Sequence, residues 1–184
     1  VRLLTDIVKG KSGYQLQIGS ELYWVEPQVE LGKAEGYVIG CKPDFVIWPR
    51  LTQSPRRPIA IFTDGWHYHK DTPVSDAFKR TGLIRSQQFW VWSVTWEDVQ
   101  AALDGNPKTD LGSPFGAHAR QSKSPGGMAP EKELYSLNSM GLLLTWLATP
   151  AHQDDSFLKR LVTTQYCLAI QCLGANANAL EPVA

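Results

Sequence analysis

Asp44 opens the apolar run DFVIW, Asp64 closes IAIFT ahead of Gly65, and His67 and His69 follow within DGWHYHKD. Carboxylates at the ends of two neighbouring strands repel each other unless a hard cation sits between them. Mg²⁺ accepts such oxygen ligands while keeping several waters. An ion held there polarises a phosphodiester and activates water. The two carboxylates are then expected within about 6 Å of one another. His67 and His69 share one side of an extended chain because side chains alternate, and either imidazole can move protons near neutral pH. Each residue also has a plainer role. Asp44 beside Pro43 and the Asp64-Gly65 pair are ordinary turn formers, and the histidines could sit at the surface or at the edge of the core. The pairing of the two aspartates is what lifts them above that role.

The elements that must position these residues follow from hydrophobic patterning. YQLQI, GSE and LYWVEPQVEL read as a hairpin around a Gly-Ser turn. DFVIWP is a further short strand, preceded by Pro43 and stopped by Pro49. IAIFTDGW begins almost uninterruptedly apolar, as a strand buried on both faces does. From Ser75, SDAFKRTGLIRSQQF has an N-cap serine, an early aspartate, and Phe78, Thr81 and Ile84 at helical spacing. FWVWSVTW is again a central strand, its tryptophans and Trp96 read as core. A strand, a helix and a strand in this order make a parallel crossover unit, so the class is α/β. WEDVQAALDG is a short helix ending at Gly105.

Residues 106–130 are rich in Gly, Pro and Ser and carry no periodicity, as in a linker. Residues 131–184 read as a helical tail: a helix over 131–148 that stops at Thr149-Pro150, then one over 156–173 capped by Asp154 and Asp155 and ended by Gly174. Their apolar faces need cover from the first domain, residues 1–105, or from elsewhere.

Composition bounds the rest. The 184 residues are 43% hydrophobic with seven tryptophans, enough for a full core. Eighteen basic residues balance eighteen acidic ones, so any polyanionic partner must be met by a local patch. Three cysteines without a C-x-x-C pair suggest neither a disulfide framework nor a thiolate zinc site, which points to a reducing cytoplasm. No apolar run approaches the length of a membrane span. The sequence opens at Val1 within what reads as continuing structure, as a piece of a longer polypeptide would.

KPDFVIWP, then RPIAIFTDGWHYHKD, then DAFKRTGLIRSQQFWVWSVTWEDV together resemble the PD-(D/E)XK nuclease superfamily, and most of all its very-short-patch-repair branch. The resemblance spans residues 40 to 100. It implies a restriction-endonuclease-like fold, with a mixed central sheet flanked by helices, and a Mg²⁺-dependent DNA endonuclease in which Mn²⁺ can substitute. Asp44 matches the metal-binding aspartate of the Pro-Asp pair, Thr63 the residue whose backbone carbonyl is the second protein ligand, and His69 the second histidine of the branch. Asp64 stands where the repair enzymes have their first histidine and where the wider superfamily has an acidic ligand. Trp66 takes the usual place of a lysine, so Lys70 or Lys79 would have to act instead. Lys70, Lys79, Arg80 and Arg85 are the candidate phosphate contacts; as a solvated helix face, Lys79 and Arg80 would pair with Asp76. Similar modules occur at the end of large anti-phage defence helicases, which makes DNA and the remainder of such a polypeptide the expected partners. The alternative of another class is a nuclease-like module without chemistry that binds nucleic acid or scaffolds a helicase. An unrelated small-molecule enzyme on an α/β sheet is a third option.

Overall fold

A computed structural model describes residues 1–32, 40–51, 56–63, 73–106 and 132–175. Over these the chain is a mixed α/β protein built on a six-stranded open sheet in strand order β1 to β6. The strands are β1 (Arg2–Val8), β2 (Lys11–Ile18), β3 (Glu21–Pro27), β4 (Phe45–Leu51), β5 (Ile59–Thr63) and β6 (Trp90–Val94). The first four junctions are antiparallel, and β5 pairs with β6 in parallel across the helix α1 (Pro73–Ser86), as the crossover pattern implies. The Gly19-Ser20 turn joins β2 to β3 as expected, with Gly19 at φ +58°. A second two-residue turn, Lys9-Gly10, with both φ values positive, joins β2 to a strand that the patterning did not reveal, β1.

Pro49 does not end β4. The strand runs on to Leu51, because a bulge opposite Leu22 and Tyr23 accommodates Arg50 as an extra residue. Alternation along β5 divides the core. Ile59 and Ile61 face a cluster shared with Tyr23, Ile47 and Val94, whereas Ala60 faces one with Val46, Leu83 and Phe89. On the second face lies α1, through Leu83. Phe78 and Ile84, at helical spacing in the sequence, point to solvent instead, and the helix begins at Pro73 rather than at a Ser75 cap. Proline suits that first position, where its missing N–H is not needed.

The other face is covered by the C-terminal helices: α3 (Lys132–Tyr135), α4 (Ser139–Ala148) and α5 (Asp154–Ala175), with α2 (Trp96–Leu103) beside α4. Leu134, Leu142, Leu143, Trp146, Leu147, Phe157 and Leu161 enter the same cluster as the sheet residues. The expected single helix over 131–148 is broken at Asn138, whose side chain accepts the Gly141 N–H at 2.8 Å and starts α4 afresh. Residues 107–131, and with them most of the expected linker, lie outside the described residues.

One buried arginine ties these layers together. Arg56 donates Nε to Asp154 Oδ2 (2.9 Å) and Nη2 to Asp154 Oδ1 (2.6 Å), and it reaches the α4 terminus at Thr149 O (2.5 Å) and Leu147 O (3.4 Å). It also bonds the Tyr23 hydroxyl, which in turn donates to Leu147 O at 2.8 Å. Asp154 further accepts from Trp146 Nε1 at 2.9 Å, so it serves as a buried counterion as well as opening α5. Removing Arg56 alone leaves a desolvated carboxylate. Arg56→Met is therefore expected to cost about 3–5 kcal/mol in urea unfolding, and Arg56→Met/Asp154→Leu to recover most of that loss.

Burial pushes the Tyr23 hydroxyl up to about 12, against the pull of Arg56 beside it. The unfolded chain loses this proton first, near pH 10, so the folded state binds the extra proton between pH 10 and 12 and its stability falls as pH rises through that window. Urea unfolding across the window is expected to show a steeper decline for the unsubstituted chain than for Tyr23→Phe.

Candidate functional site

Asp44 sits where β4 begins, beside the end of β5. Its N–H donates to Ile61 O (3.0 Å) and its carbonyl accepts from Gln28 N–H (2.8 Å), so the backbone is fixed from both neighbouring strands. The carboxylate is half-buried. Oδ2 accepts from the Thr63 N–H and from Thr63 Oγ1, both at 2.8 Å, and among the described residues Oδ1 accepts only a long bond from Gln28 Nε2 at 3.3 Å. Gln28 reaches it by leaving β3 at φ +52°, a left-handed conformation that costs about 1–2 kcal/mol for a residue with a Cβ. Nothing in the sequence singled out Gln28, because its role depends on that backbone turn.

The structure therefore brings Asp44 and Thr63 into contact. Asp64, His67, His69 and Lys70, along with Gly65 and Trp66, lie outside the described residues, and so does the expected approach of the two carboxylates. Among the described residues no group of three His, Cys, Asp or Glu side chains could hold a metal ion. What they supply is one hard-oxygen donor, Asp44, whose Oδ1 has the weaker of its protein contacts and thus the better claim on a cation.

The basic residues of α1 divide. The helix packs on the parallel pair through Leu83, beside Ala60 and Phe89. Lys79 pairs with Asp76 Oδ1 at 3.5 Å, the expected i,i+3 contact. Its charge also reaches Cys41, three residues before Asp44, where it opposes the upward push of burial on the thiol. Arg80 folds onto the sheet: Nη1 donates to Ser93 Oγ at 3.0 Å, and the guanidinium lies 4.7 Å from the centre of the Phe62 ring. Phe62 precedes Thr63, so Arg80 stands at the carboxyl ends of β5 and β6, the end at which open α/β sheets bind ligands. Arg85 is roughly 7.5 Å further along the axis, exposed at the opposite end.

Trp96, expected in the core with the other tryptophans of its run, is instead 66% exposed. Trp90 and Trp92 do pack, each against Trp146 with ring centres 5.9 and 5.5 Å apart. Trp96 differs because it follows the Thr95 N-cap, where the chain turns out of the sheet, two residues past Val94, which pairs with Thr63. An aromatic face is thus open at the same end of the sheet as Asp44 and Arg80.

Compared with protein-family models, curated proteins and solved structures, the chain matches none of them. Among the described residues no helix is long and apolar enough to cross a membrane.

The hydrogen bonds of Asp44 set its contribution to folding. Two like charges alone would make Asp44→Ala neutral or stabilising. With Thr63 N–H and Oγ1 left without an acceptor, the substitution is expected to cost about 1–3 kcal/mol. Asp44→Asn, which retains an acceptor oxygen, should cost less; thermal unfolding of the two variants side by side measures the difference.

Proposed function

We propose that this chain is a restriction-endonuclease-like domain that hydrolyses DNA phosphodiester bonds with Mg²⁺, as part of a larger helicase-containing anti-phage defence protein. One observation carries the reading: the Asp44 carboxylate is held against Thr63 at the carboxyl ends of β5 and β6. It does so in a chain whose β4, β5, α1 and β6 follow the order of the resembling family. Asp44, Asp64 and the Thr63 carbonyl would hold the ion, whose chemistry is to polarise the phosphodiester and lower the pKa of a bound water. His69 would take or return the proton, with His67 as its neighbour. Arg80 and Lys79 provide positive charge for phosphates at this end of the sheet, and the open face of Trp96 suits an unpaired base. The defence context rests on the resemblance alone.

A second reading, a module without chemistry that binds nucleic acid or packs against a helicase, is favoured by a different observation. Asp44 Oδ2 is already engaged twice by Thr63, Lys79 by Asp76, and Arg80 by Ser93 and Phe62. Trp66 at the place of the family's lysine agrees with it.

Incubation of the chain with single- and double-stranded DNA, in Mg²⁺ and then Mn²⁺, separates the two. Cleavage is expected, lost in Asp44→Asn and slowed about 10²- to 10⁴-fold in His69→Ala, the usual contribution of a positioned acid or base. DNA affinity should stay nearly constant, since phosphate contacts dominate it. If the unsubstituted chain binds DNA but cuts neither form, the second reading replaces the first. If His69→Ala cuts at full rate, the proton carrier is another group.

A further inference from the structure

Strand β1 forms one edge of the sheet, and among the described residues no strand lies beyond it. The two-residue turn closes on Val8 and Lys11, so Val8, Asp6, Leu4 and Arg2 direct their backbone groups to β2. Leu3, Thr5 and Ile7 direct theirs outward. Of the outward donors, the Ile7 N–H is capped by Asp6 Oδ1 at 2.8 Å, whereas no such cap covers Leu3 or Thr5 among the described residues. The strand exposes apolar side chains on both faces: Leu3 and Ile7 are 57% and 64% exposed on the face that α4 and α5 cover elsewhere, and Leu4, 43% exposed, stands between Arg2 and Asp6 on the other. A strand with free edge groups and exposed apolar side chains is a template for pairing with another strand.

We propose that a second copy of this chain docks on that edge, its β1 pairing antiparallel with this one about a two-fold axis at Leu4. The sequence of the strand selects both the occupant and the register. Because the outward groups belong to odd-numbered residues, a symmetric ladder must centre on a residue rather than between two. Centred on Leu4, it pairs Leu3 with Thr5 of the second copy and the reverse, joining the uncapped donors to carbonyls. It sets Leu4 against Leu4 and places Arg2 opposite Asp6 twice, on one face. Arg2 is exposed and has no partner among the described residues, and Asp6 has only the loose Arg50 contact at 3.7 Å beside its own backbone cap. Centred on Thr5, the ladder would instead press each Asp6 carboxylate against a Leu4 side chain, which removes water without supplying a cation. The strand is thus complementary in charge to itself in the first register and not in the second.

A single strand pair buries little area, so the dimer should form with a micromolar-range Kd. Sedimentation velocity on the 184-residue chain is expected to show a monomer-to-dimer shift as concentration rises to about 100 μM. Thr5→Pro, which removes an outward donor and no bond of the β1–β2 ladder, should return the monomer with an unchanged circular dichroism spectrum. Leu4→Cys should form an intermolecular disulfide across the axis on mild oxidation, above the background set by the three native cysteines, and Leu3→Cys should not. A chain that stays monomeric throughout, a dimer indifferent to Thr5→Pro, or a dimer in which Leu4→Cys fails to cross-link would each overturn the proposal. None of these outcomes bears on cleavage.

Discussion

The Arg56 guanidinium is the contact on which the arrangement of layers depends. It lies just ahead of β5, with its side chain removed from water, and it meets β3 at Tyr23, the end of α4 at its carbonyls, and the start of α5 at Asp154. A helix C-terminus carries partial negative charge and unsatisfied carbonyls, and a buried carboxylate needs a cation with matched geometry. One planar fork meets both needs. A buried ion pair is weak in net stability compared with an apolar replacement, but it tolerates few alternative arrangements. We infer that Arg56 fixes how the C-terminal helices seat on the sheet more than how strongly they hold.

That seating matters to the candidate site because the residues at the far end of β5 are placed by the same strand. Trp146 stacks on Phe157 and meets Trp90 and Trp92 edge-on or tilted, so α4 and α5 press β6 beside β5 from one face while Leu83 of α1 does so from the other. Both faces of the parallel pair are covered. Thr63, Arg80 and Trp96 lie towards the carboxyl end of the pair because the two parallel strands finish at the same level.

The sequence made the β4, β5, α1, β6 segment readable because its strands are continuous apolar runs and its helix is not. Strand β1 escaped notice: RLLTDIV, solvated on both faces, has neither an alternating pattern nor a buried run. The phase of α1 is ambiguous in the sequence, since Phe78 and Ile84 are apolar marks as strong as Leu83, yet of the three Leu83 alone is buried against the sheet. Proximity of Asp44 to the end of β5 could be argued from strand order. The hydroxyl and N–H of Thr63 as its donors could not, since threonine in a strand usually signals only β propensity. Arg56 stands in a stretch, QSPRRP, whose prolines and charges carry the marks of a turn, and it is distant partners, Asp154 among them, that make it a core residue.

Asp44 shows how the fold can fix a side chain in the way that the proposed reaction needs. A carboxylate waiting for a cation is costly in the free protein when it stands beside another negative group. Donors from the backbone and hydroxyl of Thr63 reduce that cost by satisfying one oxygen with neutral hydrogen bonds. They also fix the plane of the carboxylate, so that Oδ1 is presented in one direction, towards the Gln28 amide. The strained backbone at Gln28 belongs to the same arrangement, because relaxing its φ would withdraw that amide and the N–H that holds the Asp44 carbonyl. The consequence is a residue whose position is set by β3 and β5 together, as the proposed ion site requires.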